Sequence, residues 1–234
     1  MSISFVDIVR KFSKMAKIIP MATLNACGDS TSQSVVAAAV SVLRNGGVVA
    51  LPSDTLYGVT ATINHSQRLF DVKRRSTLKP LGLFVSGPEE VAKWAKVTIS
   101  YELLTRLLPG PVTLIFDRLP SLPVSFNPET QKVGVRVPLC PIVNEICSSL
   151  GQPLAQTSAN PSGSSHNPVC VDDFIELHDD IDLIIDGGTI ESSAEGSTIV
   201  DLSQRGYYSI IRDGCALEET KAKLILAGLK SAPI

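Results

Sequence analysis

Eight short runs rich in β-branched residues punctuate this chain: VVALP, PLGLFV, VTLIFDR, KVGVRVP, PLAQTSA, DLIIDGG, STIVDL and YYSIIR. Each has the length and residue types of a buried strand. Helical patterns stand between many of them. TSQSVVAAAVSVLRNGG reads as a helix with Thr31 as its cap and Gly46-Gly47 as its stop. SQRLFDVKRR reads as a short helix opened by Ser66, and SGPEEVAKWA as one capped by Ser86 with Pro88 in the first turn. SYELLTRLLPGP, PIVNEICSSLG, CVDDFIELH and ALEETKAKLILAGL complete the helical set. Some strands follow each other directly, so the expectation is an α/β chain with a mixed parallel and antiparallel sheet flanked by helices, not a pure βαβ series.

Of the 234 residues, 44% are hydrophobic and 19% charged, which suits one large domain with a sizeable core. The formal net charge of -2 argues against a surface coated for nucleic acid, though a local basic cleft remains compatible with it. No run of about 18 apolar residues is present, so no membrane-spanning helix is expected. The five cysteines form no C-x-x-C pair and no zinc spacing, and read as buried thiols in a reducing compartment. His65, His166 and His178 are too scattered for a metal site. Residues 1–30 read as an extension ahead of a domain over 31–230. MSISFVDIVRKFSKMAKII carries Arg10, Lys11, Lys14, Lys17 and the amino group against Asp7 alone, which fits a weak mitochondrial presequence and an amphipathic helix equally.

Phosphate-loop, dinucleotide and nucleophile-elbow signatures are absent. Polar turns at strand ends remain, where open sheets bind ligands. PSDTLYG, Pro52 to Gly58, offers hydroxyl and carboxylate groups just past a buried strand, and reads either as a site or as an ordinary turn. Four of the seven residues from Lys73 to Lys79 are cationic. They either offset a helix dipole or wait for an anion, for which Arg offers a planar fork and Lys a point charge. QTSANPSGSSHNP, Gln156 to Pro168, is rich in short donors and open to close backbone approach, as a binding loop or an inert one. Ser197 and Arg212 sit at strand boundaries. Arg136 is a lone cation inside the apolar strand VGVRVP, so it needs an acid or an anionic ligand.

Taken together these segments resemble the YrdC-domain family of threonylcarbamoyl-AMP synthases, from about Ser32 to Leu229. Six motifs carry the resemblance: PSDTLYG, Lys73-Arg74-Arg75 with Lys79-Pro80-Leu81, LPGPVTL from Leu108, Ser158-Ala159-Asn160, GSTIVDL and IIRDGC. The resemblance implies a twisted mixed sheet around a deep, positively charged cavity. It implies an enzyme, a nucleotidyltransferase that joins L-threonine, bicarbonate and ATP into threonylcarbamoyl-AMP and pyrophosphate. The product would pass to a tRNA threonylcarbamoyl-transferase complex for N6-threonylcarbamoyladenosine at position 37, with weak tRNA contact by this chain.

The same resemblance assigns Lys73 and Arg75 to bicarbonate and phosphates. Arg75, Lys79, Ser158, Asn160 and Arg212 are assigned to ATP, and Thr55, Arg136 and Ser197 to threonine. Magnesium would arrive on the phosphates, without protein ligands. Phe84 stands where some members have a threonine-binding histidine, and the resemblance is to the single-domain form of the family rather than to the longer, two-domain members. The expected location is the cytoplasm, with a mitochondrial pool if the first residues are a presequence. The competing expectation from another class is a non-catalytic RNA-binding module with a basic concave surface.

Overall fold

The computed structural model describes residues 16–21, 30–74, 76, 78–161, 163–164, 166–191 and 195–233. Its strands are β1 (Lys17–Pro20), β2 (Val49–Leu51), β3 (Gly58–Thr62), β4 (Gly82–Phe84), β5 (Ala95–Lys96), β6 (Val112–Arg118), β7 (Lys132–Arg136), β8 (Leu154–Ser158), β9 (Leu183–Asp186), β10 (Thr198–Asp201), β11 (Tyr207–Arg212) and β12 (Lys230–Ser231). Its α-helices are α1 (Ser30–Arg44), α2 (Gln67–Lys73), α3 (Tyr101–Leu107), α4 (Pro141–Leu150) and α5 (Leu217–Leu226).

One sheet runs in the order β1-β9-β2-β3-β8-β4-β7-β6-β10-β11-β12, with β5 paired to β6. Pairings are mixed: β2–β9, β4–β7 and β6–β10 are parallel, whereas β2–β3, β3–β8, β4–β8, β6–β7 and β10–β11 are antiparallel. The expected mixed α/β sheet is therefore the observed one.

Successive strand residues point to opposite faces, and at the sheet centre both faces are covered. Val49 and Leu51 of β2 and Leu183 and Ile185 of β9 pack with Val36, Leu43, Val143 and Ile146 of α1 and α4. Ala50 and Ile184, one residue out of phase, belong to the larger core on the other face. This explains why these strands read as continuous apolar runs rather than alternating ones. Helix α1 ends as the double glycine requires. Gly46 sits at φ +77, and Gly46 and Gly47 donate their amides to the Leu43 and Val42 carbonyls at 3.0 and 2.9 Å.

Several local expectations are corrected. The stretch GVTAT is a fully buried strand, β3, and was not among the expected eight. Residues 88–93 form a 3-10 helix whose cap position is Gly87, not Ser86. Residues 171–180 form short 3-10 turns around a non-helical Phe174, not one α-helix. Ser66 occupies the cap position of α2 without a side-chain cap bond, whereas Ser100 caps α3 by accepting from the Leu103 amide at 3.2 Å. Cys27 and the first 15 residues lie outside what is described, as does the side chain of Thr31, whose backbone is already within α1. Lys17–Pro20, read from sequence as part of the extension, pairs in parallel with β9, so the sheet starts before residue 31. No helix among the described residues is long and apolar enough to cross a membrane.

Candidate active site

A cavity of about 590 Å³ lies over one face of the strands β8, β4, β7, β6 and β10. Strand alternation builds it: Gly82 and Phe84, Lys132, Gly134 and Arg136, Thr113 and Ile115, and Ile199 and Asp201 all line it. The 53–58 turn and Arg212 of β11 close its sides. Its volume falls in the range of small-molecule sites, about 300–1,000 Å³.

The turn after β2 is rigid. Ser53 Oγ donates to the Leu56 carbonyl at 2.7 Å and accepts from the Thr55 and Leu56 amides at 3.2 and 3.3 Å. Such a side-chain-to-backbone network fixes a turn without secondary structure. Tyr57, fully buried, anchors its far end by donating its hydroxyl to the Gly188 carbonyl at 2.7 Å and accepting from the Gly187 amide at 2.9 Å. Burial pushes the Tyr57 hydroxyl pKa up, so it stays a neutral donor.

Arg136 projects from β7 into this turn. Its Nη2 donates to Asp54 Oδ1 at 2.5 Å, Nη1 to Thr55 Oγ1 at 2.9 Å and Nε to the Gly110 carbonyl at 3.2 Å. Both side chains of the ion pair are nearly buried, at 5% and 11% exposure. The guanidinium also lies 5.9 Å from the Phe84 ring centroid. Burial lowers the Arg136 pKa and the Asp54 charge opposes that shift. The acid that the lone strand cation requires is thus Asp54, which sequence reading did not single out. Three of the five guanidinium N–H groups are committed in these bonds, which leaves one on each Nη. Asp54 Oδ2 is buried with no partner among the described residues.

Ser197, 5% exposed, shares a hydrogen bond with Thr113 Oγ1 at 2.8 Å. Arg212 reaches back across the β10–β11 pair, its Nη2 donating to the Ser197 carbonyl at 2.7 Å and to its Oγ at 3.1 Å. Burial lowers the Arg212 pKa, and the nearby Arg136 charge lowers it further. A Cβ on Gly196 would stand 2.7 Å from Arg212 Nη2, so a side chain there would displace the guanidinium from Ser197.

Lys73, 3% exposed, ends α2 and turns into the 157–160 segment. Its Nζ donates to the Ser158 carbonyl and lies 3.1 Å from Asn160 Oδ1, 3.3 Å from Ser158 Oγ and 3.4 Å from Thr157 Oγ1. Ser158 Oγ donates to Asn160 Oδ1 at 2.7 Å. One ammonium therefore orients the S-x-N residues relative to each other. A phosphate oxygen would compete with those four oxygens for its three protons.

The structure thus gathers Thr55, Arg136, Ser197, Ser158 and Arg212 around one cavity, and Lys73 and Asn160 join it through Ser158. Lys79 stands exposed in the loop ahead of Pro80 and is outside the lining. Arg75 lies outside the described residues. Sequence reading missed Asp54 as the Arg136 partner, and it missed Thr113, Thr157 and Gln156. Strand alternation was the signal for Thr113 and Gln156. The lining is not uniformly positive: Lys132, Arg136 and Arg212 face Glu195, Asp201 and Asp213, and Lys132 pairs with Asp201 at 2.7 Å. The three histidines all have protein partners, Thr62, Asp173 and the Val171 carbonyl. The described cysteines are free thiols, and burial holds Cys147 up at about 12.

The family described as telomere recombination, Sua5/YciO/YrdC, matches residues 41–214. The chain is 43% identical over 200 residues to the threonylcarbamoyl-AMP synthase of Bos taurus, covering 82% of this chain and 72% of that protein. It is 42% identical over 195 residues to the Homo sapiens protein of the same name, covering 80% and 70%. Among solved structures, P. abyssi Sua5 complexed with L-threonine superposes with a TM-score of 0.78 at 26% identity, over 94% of this chain. The chain spans 63% of that protein's length. E. coli YciO superposes with a TM-score of 0.71 at 23% identity, covering 86% of this chain and 96% of that one, and shares the fold. The match covers about three quarters of the chain and includes the turn, the lysine helix, the S-x-N segment and the β10–β11 pair that build the cavity, so the chain belongs to the Sua5/YciO/YrdC family.

Proposed function

We propose that this chain is a threonylcarbamoyl-AMP synthase, a nucleotidyltransferase that consumes L-threonine, bicarbonate and ATP. One observation carries the reading. Thr55, Arg136 and Ser197 line the same cavity as Ser158, to which Lys73 and Asn160 are hydrogen-bonded, and the family motifs assign a ligand to each group. An amino acid and a nucleotide held in the two places would be neighbours, which is most of what the reaction asks of a protein.

In this reading the two uncommitted N–H groups of Arg136 meet the threonine carboxylate, and Thr55 and Ser197 flank it. Lys73, Arg75, Ser158 and Asn160 hold bicarbonate and the phosphates, and Arg212 and Lys79 approach ATP. The threonine amine adds to bicarbonate with loss of water. The resulting N-carboxylate oxygen bonds to the α-phosphorus, and the bond to pyrophosphate breaks. Charge on the attacking and leaving oxygens is stabilised by cations already fixed in place. Among the described residues no three acids, histidines or cysteines are grouped to ligate a metal. Magnesium would arrive on the phosphates in this reading, and no step is routed through it. The product would be handed to a tRNA-modifying transferase. A cavity of about 590 Å³ matches the size of small-molecule sites, which favours this reading over an RNA-binding module.

Pyrophosphate release from ATP by the purified protein tests it. Release that requires both L-threonine and bicarbonate is the expected result. Release from ATP alone, or none with all three present, overturns the proposal.

A further inference from the structure

We infer that Gln156 reads the base of the nucleotide and selects adenine over guanine, an inference that rests on the nucleotide occupying the cavity as proposed above. Gln156 lines the cavity, and among the described residues its carboxamide makes no hydrogen bond to the protein. In the sheet it stands beside Gly82, which stands beside Gly134, which stands beside Ile115. The two middle positions of that row have no side chains, and all four residues face the cavity. A Cβ on Gly82 would lie 2.5 Å from Gln156 Nε2, so the bare Cα is what lets the carboxamide lie over the neighbouring strand. Over Gly134 the space is bounded by Thr113 Cγ2 and Ile115 Cγ1, 3.1 and 3.7 Å from where a Cβ would stand, so apolar groups flank the floor on that side. A flat ring resting against those groups presents an edge to the carboxamide.

The spacing along β8 connects this floor to the phosphate group. Gln156 and Ser158 are two apart on one strand and point to the same face, about 6.5–7 Å from each other. That separation leaves room for a ribose between a phosphate at Ser158 and a base at Gln156. A carboxamide offers one acceptor and two donors side by side. Presented with the N7-side edge of the base, it matches the N6 amino donor and N7 acceptor of adenine, whereas the same edge of guanine sets two acceptors, O6 and N7, against it. Hypoxanthine carries the same O6 and should behave as guanine does. A good bidentate pair of this kind discriminates by about ten- to a hundredfold.

Initial rates with ATP, GTP and ITP, on the full chain and on Gln156→Leu, test the inference. The wild type should favour ATP by about ten- to a hundredfold in kcat/KM. Gln156→Leu should lose most of that ratio through a higher KM for ATP and leave the KM for threonine within about twofold. A merely structural role would disturb both. Gln156→Met, uncharged and of similar length, serves if the leucine variant does not fold, and should lose the same ratio. A folded variant that keeps the wild-type ratio overturns the inference. Calorimetric titration of ATP and GTP without threonine or bicarbonate separates the two claims. Gln156-dependent preference for ATP in a protein that makes no product overturns the synthase reading alone. Product formation with a ratio indifferent to Gln156 overturns this inference alone. Binding of neither nucleotide overturns both.

Discussion

Lys73 is a buried charge with an architectural role, and the proposed function gives it a chemical one as well. Its ammonium lies among the oxygens of Thr157, Ser158 and Asn160, so the cation is partnered before any substrate arrives. Replacing it with alanine removes a charge-assisted donor worth about 1.5–3 kcal/mol to an anionic ligand. Lys73→Ala should therefore lose about ten- to a hundredfold in kcat/KM, with an unchanged circular dichroism spectrum because alanine suits the end of α2. Wild-type pyrophosphate release from that variant would remove Lys73 from the proposed site. Thr55, Thr113 and Ser197 form a hydroxyl-rich wall of the cavity, on the side proposed for the amino acid. A site built on a hydrogen bond rejects an analogue lacking the partner by about 10⁴, whereas one missing methyl costs about 10–200-fold. Serine should consequently outperform valine as a replacement for threonine in initial-rate assays, and the reverse order would show that the pocket reads shape alone. Arg136 was legible because it breaks the apolar pattern of its strand, whereas Thr55 and Ser197 were picked out by the family motifs. Asp54 as the partner of Arg136 was not, because 82 residues separate the two and only the folded sheet joins them.

Among the elements, the loop after β8 and the edge strand β1 yield the clearest expectations. Asp173 ties the loop down: it accepts from the Val169 and Cys170 amides at 2.8 and 2.9 Å, and its other oxygen bonds His166 Nε2 at 2.8 Å. The His166 hydrogen bond, first among several, holds the Asp173 carboxyl at about 2, below its usual 3.8. A depressed carboxyl stabilises the fold above its unfolded value and loses that contribution as pH falls through its folded value. Amide exchange at Val169 and Cys170 should thus accelerate as pH drops from about 4 to about 2, relative to amides elsewhere. Asp173→Asn should show faster exchange at those amides already at neutral pH. Indifference of both amides to the variant would contradict the anchoring role.

Strand β1 adds four residues to the sheet edge beside β9, far in the strand order from β4, β7 and β6. Truncation through residue 20 should lower the melting temperature below that of a truncation through residue 15, by about 2–4 °C for each kcal/mol lost. Both truncated proteins should turn over at equal rates at low temperature. A large rate difference between them would tie the edge strand to the site. The central strands were legible because long apolar runs survive burial on both faces. β1 and β3 were not. Lys17–Pro20 carries a charge and a proline on an edge, and GVTAT has small residues whose burial comes from their position between β2 and β8.

At the level of the whole molecule, the sheet matters as a surface that converts alternation into a cavity. Strands separated by dozens of residues supply neighbouring wall positions, so cations and acids far apart in the sequence meet in one lining. The motifs in sequence order announced the family, whereas the mixed charge of the lining and the glycine floor emerged only from the register of β4, β7 and β6. The proposed chemistry makes a commitment about which phosphate bond breaks. Incubation of the protein with ATP, L-threonine and ¹³C-bicarbonate, followed by mass spectrometry, reads that commitment. The expected product carries the ¹³C label, the threonine and the adenylate in one molecule, formed in step with pyrophosphate. Labelled carbon absent from any adenylate, with ADP and orthophosphate as the products, would contradict attack at the α-phosphorus and with it the assignment of this cavity.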